Sequence, residues 1–178
     1  MIKRTMSAAI LLVLFVFGCS EPPSAPLDYH RLSASALPTE SYKRGPAVTP
    51  DDASYVYKLN NLSSFYDHPG ELGYVMRGQY YGFDSLSIIV TETHAQGGPP
   101  LHVHEIEEAH IVLAGTMNYV MDKERFTATA PFIARVPAGV PHTFINGGST
   151  PLNLIAVFPT DNHTTEVVGP NPLIEDED

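Results

Sequence analysis

The chain has 178 residues, of which 10 are Lys or Arg and 20 are Asp or Glu, so its formal net charge is −10. This acidity argues against a nucleic-acid-binding protein, which would carry a basic stripe, and the length suits one domain with its own core. Cys19 is the sole cysteine, which excludes an intrachain disulfide and a Cys-x-x-Cys zinc site. Any metal site must therefore use histidine and carboxylate side chains.

The first 18 residues have the features of an export signal. After a basic start, residues 8–17 form an apolar run that is shorter than the ~20 residues of a membrane span. The run ends at Gly18-Cys19, which resembles the lipobox of bacterial lipoproteins, although Phe17 stands where that signal usually has a small residue. The resemblance implies cleavage before Cys19, acylation of that cysteine, and a lipid-anchored protein on the periplasmic or outer side of a bacterial membrane. An ordinary cleaved signal peptide is the alternative interpretation.

Two segments beside the main domain have low potential to fold alone. Residues 19–54 are rich in Pro, Ser and Ala without a sustained hydrophobic period, and are predicted to be a tether or arm. Such a segment can hold a domain away from a membrane, or it can pack on the domain or on a partner chain. Residues 166–178 are predicted to be an acidic C-terminal tail, in which the final EDED run is a frayed terminus.

Residues 55–165 are predicted to form an all-β domain. Short runs of β-branched and aromatic residues recur at about ten-residue spacing and are separated by Gly, Pro, Asn and Asp. This spacing is typical of a β-sandwich or barrel. The predicted strands are residues 86–93, 109–115, 116–121, 125–130, 132–136, 142–146 and 151–158.

A cluster of histidines and glutamates precedes the second of these strands. On a strand, residues i and i+2 point to the same face about 7 Å apart, so His102 and His104 can converge on one ion. Glu105, Glu107 and Glu108 follow, and all three are candidate carboxylate ligands. By itself this pattern is a weak signal, because pairs of surface histidines are common.

A second cluster lies about 35 residues further along the chain. Pro137-Ala138-Gly139 indicates a tight turn, and His142 then begins a β-rich run. Asn146 lies on the same face as His142 if that strand is regular. A lone histidine in this position would more often be structural than functional.

Together the two clusters resemble the two sequence motifs of the cupin family. The matching residues have the family's spacing: His102, His104, Glu108 and Gly115 in the first motif, and Pro137, Gly139, His142 and Asn146 in the second. The resemblance covers roughly residues 70–160. The sequence departs from the family at two positions. Each motif opens with a glycine, but Gln96 stands at the opening position of the first motif and Pro131 at that of the second.

The resemblance implies a small antiparallel β-barrel of jelly-roll topology and, commonly, a homodimer. It also implies one divalent transition metal ion in the barrel, and the sequence does not choose among Fe(II), Mn(II), Ni(II), Cu(II) and Zn(II). The implied ligands leave two open positions in an octahedral site, where substrate or water can bind. Those ligands are His102, His104, Glu108 and His142.

His110 is the ionisable residue of the first cluster whose role the sequence leaves open. It follows Glu108 by two residues, so a regular strand points it into the barrel. One hypothesis is a structural histidine that bonds a neighbouring strand. The other is a catalytic acid–base group beside Glu108, or a fifth metal ligand.

The sequence supports metal binding better than it supports any one reaction, because a fold does not fix chemistry. Residues 97–104, with the predicted ligands, resemble the quercetin-dioxygenase-like cupins. That resemblance implies a metal-dependent, dioxygenase-type oxidoreductase acting on a small organic molecule, with Glu108 or His110 as the proton acceptor. The alternatives are a non-enzymatic module that binds a small molecule or metal outside the cytoplasm, and a metal-dependent isomerase or lyase.

Overall fold

The computed structural model describes residues 38, 40–47, 49, 54–67 and 70–174. Cys19 and the predicted export signal lie outside these residues. The described chain forms two antiparallel β-sheets with only two short 3-10 turns, which confirms the predicted all-β barrel. Within the described part, no helix is long and apolar enough to cross a membrane.

Twelve strands make up the two sheets of the described chain. In chain order they are β1 (Tyr42–Arg44), β2 (Ser63–Asp67), β3 (Glu71–Arg77), β4 (Ser87–Thr93), β5 (Leu101–Val103), β6 (Glu108–Ala114), β7 (Thr116–Met121), β8 (Glu124–Thr129), β9 (Phe132–Val136), β10 (His142–Asn146), β11 (Leu152–Phe158) and β12 (Glu166–Gly169). The larger sheet has the order β1-β2-β3-β4-β11-β6-β9, and the smaller sheet has the order β12-β5-β10-β7-β8.

The seven strands predicted from hydrophobic pattern match β4 and β6 to β11, each within one residue at either end. The pattern does not reveal β2 and β3, because the barrel-facing side of these strands is partly polar. On β3 that side carries Glu71, Gly73 and Arg77, which interrupt the apolar alternation that marks a half-buried strand.

Both sheets continue beyond residues 55–165. In the predicted tether, β1 pairs with β2 through Tyr42 opposite Tyr66, so this part of the segment is an arm on the barrel. In the predicted tail, β12 pairs with β5. These are edge strands held mainly by backbone hydrogen bonds, which leave little trace in side-chain pattern.

The register of the larger sheet determines which side chains line the barrel. One row crosses β6, β11, β4, β3 and β2 and contains His110, Ala156, Ile89, Val75 and Ser63. All five side chains border the same cavity. A separate apolar core joins the two sheets through Val112, Met117, Tyr119, Phe144, Leu152 and Leu154. Burial of each such side chain stabilises the fold by roughly 1.5–3 kcal/mol.

Turns at the two motif regions fix the ends of the site strands. Gly115 and Gly139 have φ angles of +96° and +72°, as the predicted tight turns require. Gln96, which departs from the family motif, also has a positive φ of 63°. Its turn is held because Gln96 donates to the carbonyl of Asn146, and Asn146 donates to the carbonyl of Gly97, both at 2.9 Å.

Candidate metal centre

The structure brings the four predicted metal ligands together inside the barrel. His102 lies on β5, His104 follows that strand, and Glu108 and His142 are the first residues of β6 and β10. His102 and His142 are directly opposite each other in the smaller sheet. One ring nitrogen from each histidine lies within 4.8 Å of the other two.

Of the three candidate glutamates, Glu108 is the one that turns into this cluster. Its Oε2 atom lies 3.3 Å from Nε2 of His104 and 3.2 Å from Nε2 of His142, and its side chain is 4% exposed. Glu105 and Glu107 are exposed, and Glu107 forms a surface ion pair with Arg135. The turn at residues 105–107 therefore holds two carboxylates in solvent, and the strand that follows it begins with the buried carboxylate of Glu108.

Backbone carbonyl groups orient all three histidines. Nδ1 of His102 lies 2.8 Å from the carbonyl oxygen of Pro100, and Nδ1 of His142 lies 2.9 Å from that of Val140. Nδ1 of His104 lies 2.6 Å from the carbonyl oxygen of Thr164. A carbonyl oxygen only accepts, so each Nδ1 carries the proton and each Nε2 of a neutral ring presents a lone pair.

This arrangement fits a metal ion. The Nε2 lone pairs of His104 and His142 face the ionised Oε2 of Glu108, and the rings of His102 and His142 are tilted against each other with centroids 4.3 Å apart. Electron donors in such a cluster repel one another unless a cation or protons lie between them. Three imidazoles and one carboxylate are a donor set for one divalent transition metal ion, and the carbonyl partners are the usual supports of such ligands.

His110 differs from these three histidines in its hydrogen bonds. Its Nε2 lies 2.9 Å from Oε1 of Glu108, and its Nδ1 lies 3.1 Å from the hydroxyl of Tyr119. The tyrosine hydroxyl can donate to Nδ1, which leaves Nε2 protonated and able to donate to the carboxylate. Although Glu108, His110 and His142 are also close enough to form a ligand group, these bonds favour His110 as a support of Glu108.

The charges of the cluster are coupled. Burial works against the charged form of Glu108, but His110, His104 and His142 outweigh it and hold the pKa of this carboxyl well below its usual range. Burial also opposes charge on His104, yet the hydrogen bond and charge of Glu108 raise its pKa. For His102, burial followed by repulsion from His142 lowers the pKa to about 4.

Residues 158–165 form a wall of the site that sequence reasoning missed. His163 is 3% exposed and stacks on Phe158, with ring centroids 4.4 Å apart and an interplanar angle of 10°. Phe158 in turn contacts the ring of His104 edge-on at 4.9 Å. Burial, then the charge of Arg77, lowers the pKa of His163 to about 4. The polar run around His163 gave no periodic signal from which its burial could be predicted.

A cavity of about 550 Å³ opens onto the ligand cluster. His102, His104 and Glu108 border it, and so do other residues on the inner face of the larger sheet. Apolar side chains such as Val75 and Leu154 line it together with charged side chains such as Arg77. This volume suits a small organic molecule.

Comparisons with known proteins agree with the fold and the motifs. Residues 89–158 match a family model described as Cupin domain. A search of curated proteins gives no match to the chain.

Oxalate decarboxylases are among the solved structures that resemble the barrel. The Lactobacillus farciminis enzyme, in a formate complex, has a TM-score of 0.58 and 18% identity and covers 63% of this chain and 35% of its own. The Bacillus subtilis enzyme at pH 4.6 has a TM-score of 0.53 and 17% identity, and covers 57% and 28%. Another structure, from work on the Mn(II) centres of the Bacillus enzyme, gives the same score and identity with coverage of 57% and 29%. The chain thus spans about a third or less of these decarboxylases, and the likeness shows the fold.

Proposed function

The chain belongs to the cupin superfamily, and from that premise we propose that it is a metal-dependent oxidoreductase of the dioxygenase type that acts on a small organic molecule. The convergence of the Nε2 atoms of His104 and His142 on the Oε2 atom of Glu108, with a ring nitrogen of His102 close to both histidines, carries this proposal. When bound, a divalent transition ion would act as a Lewis acid toward an oxygen-donor substrate and as an electron conduit to dioxygen.

The protein's own proton acceptor in this proposal is Glu108. His110 already has a proton on the Nε2 atom that faces Glu108, and its Nδ1 faces the Tyr119 hydroxyl, so it has no lone pair directed at substrate. Glu108 borders the cavity and can take a proton from a substrate hydroxyl group. The N–H group of His110 then keeps the carboxyl oriented while the proton resides there.

The size and lining of the cavity favour a substrate larger than a two-carbon acid. A volume of about 550 Å³ is typical of sites for whole organic molecules, and oxalate would leave most of it unfilled. The apolar strip of Val75, Ile89, Leu154 and Ala156 suits a hydrocarbon or aromatic body. These features support an organic substrate with an apolar body and an oxygen-donor end.

A metal-dependent lyase is the second candidate. Arg77 borders the cavity and could bind a carboxylate, and oxalate decarboxylases are among the similar structures. In such an enzyme the ion would serve only as a Lewis acid and no oxygen would be consumed. The low identity to those enzymes transfers no substrate to this chain.

Metal analysis of protein purified without an affinity tag, combined with oxygen uptake on catechols and other phenols, tests the proposal. We expect about one iron, copper, nickel or manganese ion per chain and oxygen consumption that depends on substrate. Oxygen-independent turnover would support the lyase instead. Zinc with no turnover would indicate a non-enzymatic binding module, and protein that binds no metal at all would refute the metal centre.

Export and assembly are proposals from the sequence and the resemblance. We propose a lipid-anchored protein outside the cytoplasm, held through Cys19, in which the segment before β1 is a tether. We also propose a homodimer. The exposed side chains of Ile133 on β9 and Phe126 on β8, both edge strands, offer apolar surface for a second chain. A monomeric mass in light scattering would refute the dimer.

A further inference from the structure

The part of the cavity wall formed by β2 and β3 has a pair of acidic side chains. Asp67 on β2 and Glu71 on β3 are directly opposite each other in the larger sheet, and both border the cavity. In the strand order of that sheet, β3 is three strands away from β6, where Glu108 lies. The pair therefore lies on strands that carry none of the metal ligands, although the charge of Glu108 still acts on Glu71.

Glu71 is a buried acid that has no partner among the residues that the structure describes. It is 3% exposed, and its carboxyl forms no hydrogen bond or ion pair with any residue that the structure describes. Burial of an unpaired acid costs free energy unless a ligand or proton satisfies it. Asp67 is less buried than Glu71. Burial raises the pKa of Asp67, and the nearby charge of Lys43 works in the opposite direction.

Glu71 is suited to act as a neutral acid. Burial, and then the charges of Asp67 and Glu108, raise the pKa of Glu71 well above its usual value. A neutral carboxylic acid has one O–H donor and one C=O acceptor. Together with the Asp67 carboxylate, it offers both a donor and an acceptor to a ligand.

Apolar side chains line part of the cavity that the acidic pair and the metal ligands share. Val75, Ile89 and Leu154 line it, and the ring of Phe65 lies where a side chain at position 73 would be, because Gly73 has none. A ligand that reaches both ends of the cavity would thus have an apolar body. One end of the ligand would meet the metal ligands, and the other end would meet the two acidic side chains.

We propose that Asp67 and Glu71 form a distal subsite that binds an uncharged hydroxyl group at the end of the substrate opposite the metal centre. This inference rests on the proposed function, since the metal centre is to hold the other end. The hydroxyl would donate to the Asp67 carboxylate and accept from the Glu71 acid. A ligand carboxylate would be repelled by Asp67, and a ligand ammonium would meet Lys43 and Arg44, which also border the cavity.

The test uses Zn(II)-loaded protein, so that no probe is oxidised, and catechols with an alkyl chain of two to six methylenes at ring position 4. The chain ends in a hydroxyl, a methyl, an ammonium or a carboxylate, and dissociation constants are measured by calorimetry at neutral pH. At the best chain length, we expect the hydroxyl end to bind about tenfold more tightly than the methyl end, as for one or two buried hydrogen bonds.

Variants of Glu71 separate this role from a structural one. Glu71→Leu should lower the preference for hydroxyl over methyl to near onefold. Glu71→Gln should retain most of it, because the amide has a donor and an acceptor as the neutral acid does. Glu124→Gln, on an exposed face of β8, should leave the preference unchanged. Thermal unfolding checks that each variant is folded. Because the hydroxyl and methyl probes are compared on the same variant, the ratio of their dissociation constants is insensitive to a general loss of affinity.

The outcomes distinguish this inference from the proposed function. If unsubstituted catechol binds but the hydroxyl end gives no gain at any length, or Glu71→Leu keeps the gain, the subsite is refuted and the metal centre stands. A preference for ammonium that is lost in Glu71→Gln would also refute it, in favour of a cationic ligand. If catechol itself does not bind the loaded protein, the proposed function fails and the subsite fails with it.

Discussion

His110 and Glu108 are joined by a 2.9 Å hydrogen bond from Nε2 of the imidazole to Oε1 of the carboxylate. The other carboxylate oxygen, Oε2, is the atom that faces His104 and His142. Glu108 thus uses one oxygen for the metal centre and the other for its support. This division favours a supporting role for His110, because His110 contacts Oε1 whereas His104 and His142 face Oε2.

Replacement of His110 by Phe should weaken metal binding without removing a ligand. The variant loses the bond that orients Glu108, and loss of such an outer partner typically lowers metal affinity 10–100-fold. It also leaves the buried Tyr119 hydroxyl without its imidazole partner, which should cost about 1–3 kcal/mol of stability. Competition with a chelator measures the affinity, and chemical denaturation measures the stability.

Tyr119→Phe is the matched control for that variant. It removes the hydroxyl that faces Nδ1 of His110 but leaves the bond from His110 to Glu108 intact. Its effect on metal affinity should therefore be much smaller. Equal metal affinities of wild type and His110→Phe would contradict the supporting role of His110.

Replacement of His104 or Glu108 by Ala should abolish stoichiometric metal binding. Each change removes one of four donors from a buried cluster, and the remaining donors lose the geometry that a transition ion requires. Elemental analysis of untagged protein gives the metal content. His94→Ala is the control, because His94 is close to Glu92 instead of this cluster. Full metal content in the His104 variant would refute the assignment.

The sequence predicted the parts of the site that depend on local spacing. The His102 and His104 side chains share a face because a strand repeats every two residues, and the turn that follows allows Glu108 to face inward. The strands with apolar alternation were predicted within one residue for the same reason. The turn at Gly115 was predicted from its place between two such strands.

The sequence could not predict contacts between residues that only the packing of the folded chain brings together. His104 is oriented by the carbonyl of Thr164, which lies 60 residues away and has no side-chain signature. The burial of His163 depends on its stacking against Phe158 after a turn. The position of Glu71 in the cavity depends on a strand whose polar inner face conceals its pattern. Each of these contacts is set by the packing of the sheets.

Acid should destabilise the metal-free protein between pH 6.5 and about pH 4. The pKa of His163 is lowered from 6.5 to about 4, so the unfolded state binds a proton in this window that the folded state does not. The contribution of His163 to stability is therefore full above pH 6.5 and falls by about 3 kcal/mol as the pH approaches 4. Urea unfolding at a series of pH values measures the loss.

His163→Phe should remove part of that acid sensitivity. Phenylalanine keeps the stacking on Phe158 and has no titrating group, whereas His102, which shares the low pKa, continues to titrate. The slope of stability against pH should thus become shallower in the variant. An unchanged slope would show that His163 is not held neutral in the folded state.

Lipid attachment at Cys19 predicts incorporation of labelled palmitate in a bacterial host. Wild-type protein should be labelled and recovered with membranes, because stable anchoring requires the combined burial of several acyl chains at ~0.8 kcal/mol for each methylene. Cys19→Ser should be unlabelled and released by a salt wash. If both proteins lack label, the export signal is of the ordinary cleaved type and the anchor is excluded.

Gly98→Ala should destabilise the fold and disturb the metal centre together. A Cβ atom at position 98 would collide with the backbone carbonyl oxygen of Phe144, which cannot rotate away as a side chain could. The resulting shift should cost about 1–3 kcal/mol and should displace the Pro100 carbonyl that fixes His102. Gly45→Ala is the control, because a methyl group there meets nothing within 4 Å. Denaturation and metal affinity should change in the first variant and not in the second. A stable Gly98→Ala protein with wild-type metal affinity would mean that the Pro100 carbonyl does not set the orientation of this ligand.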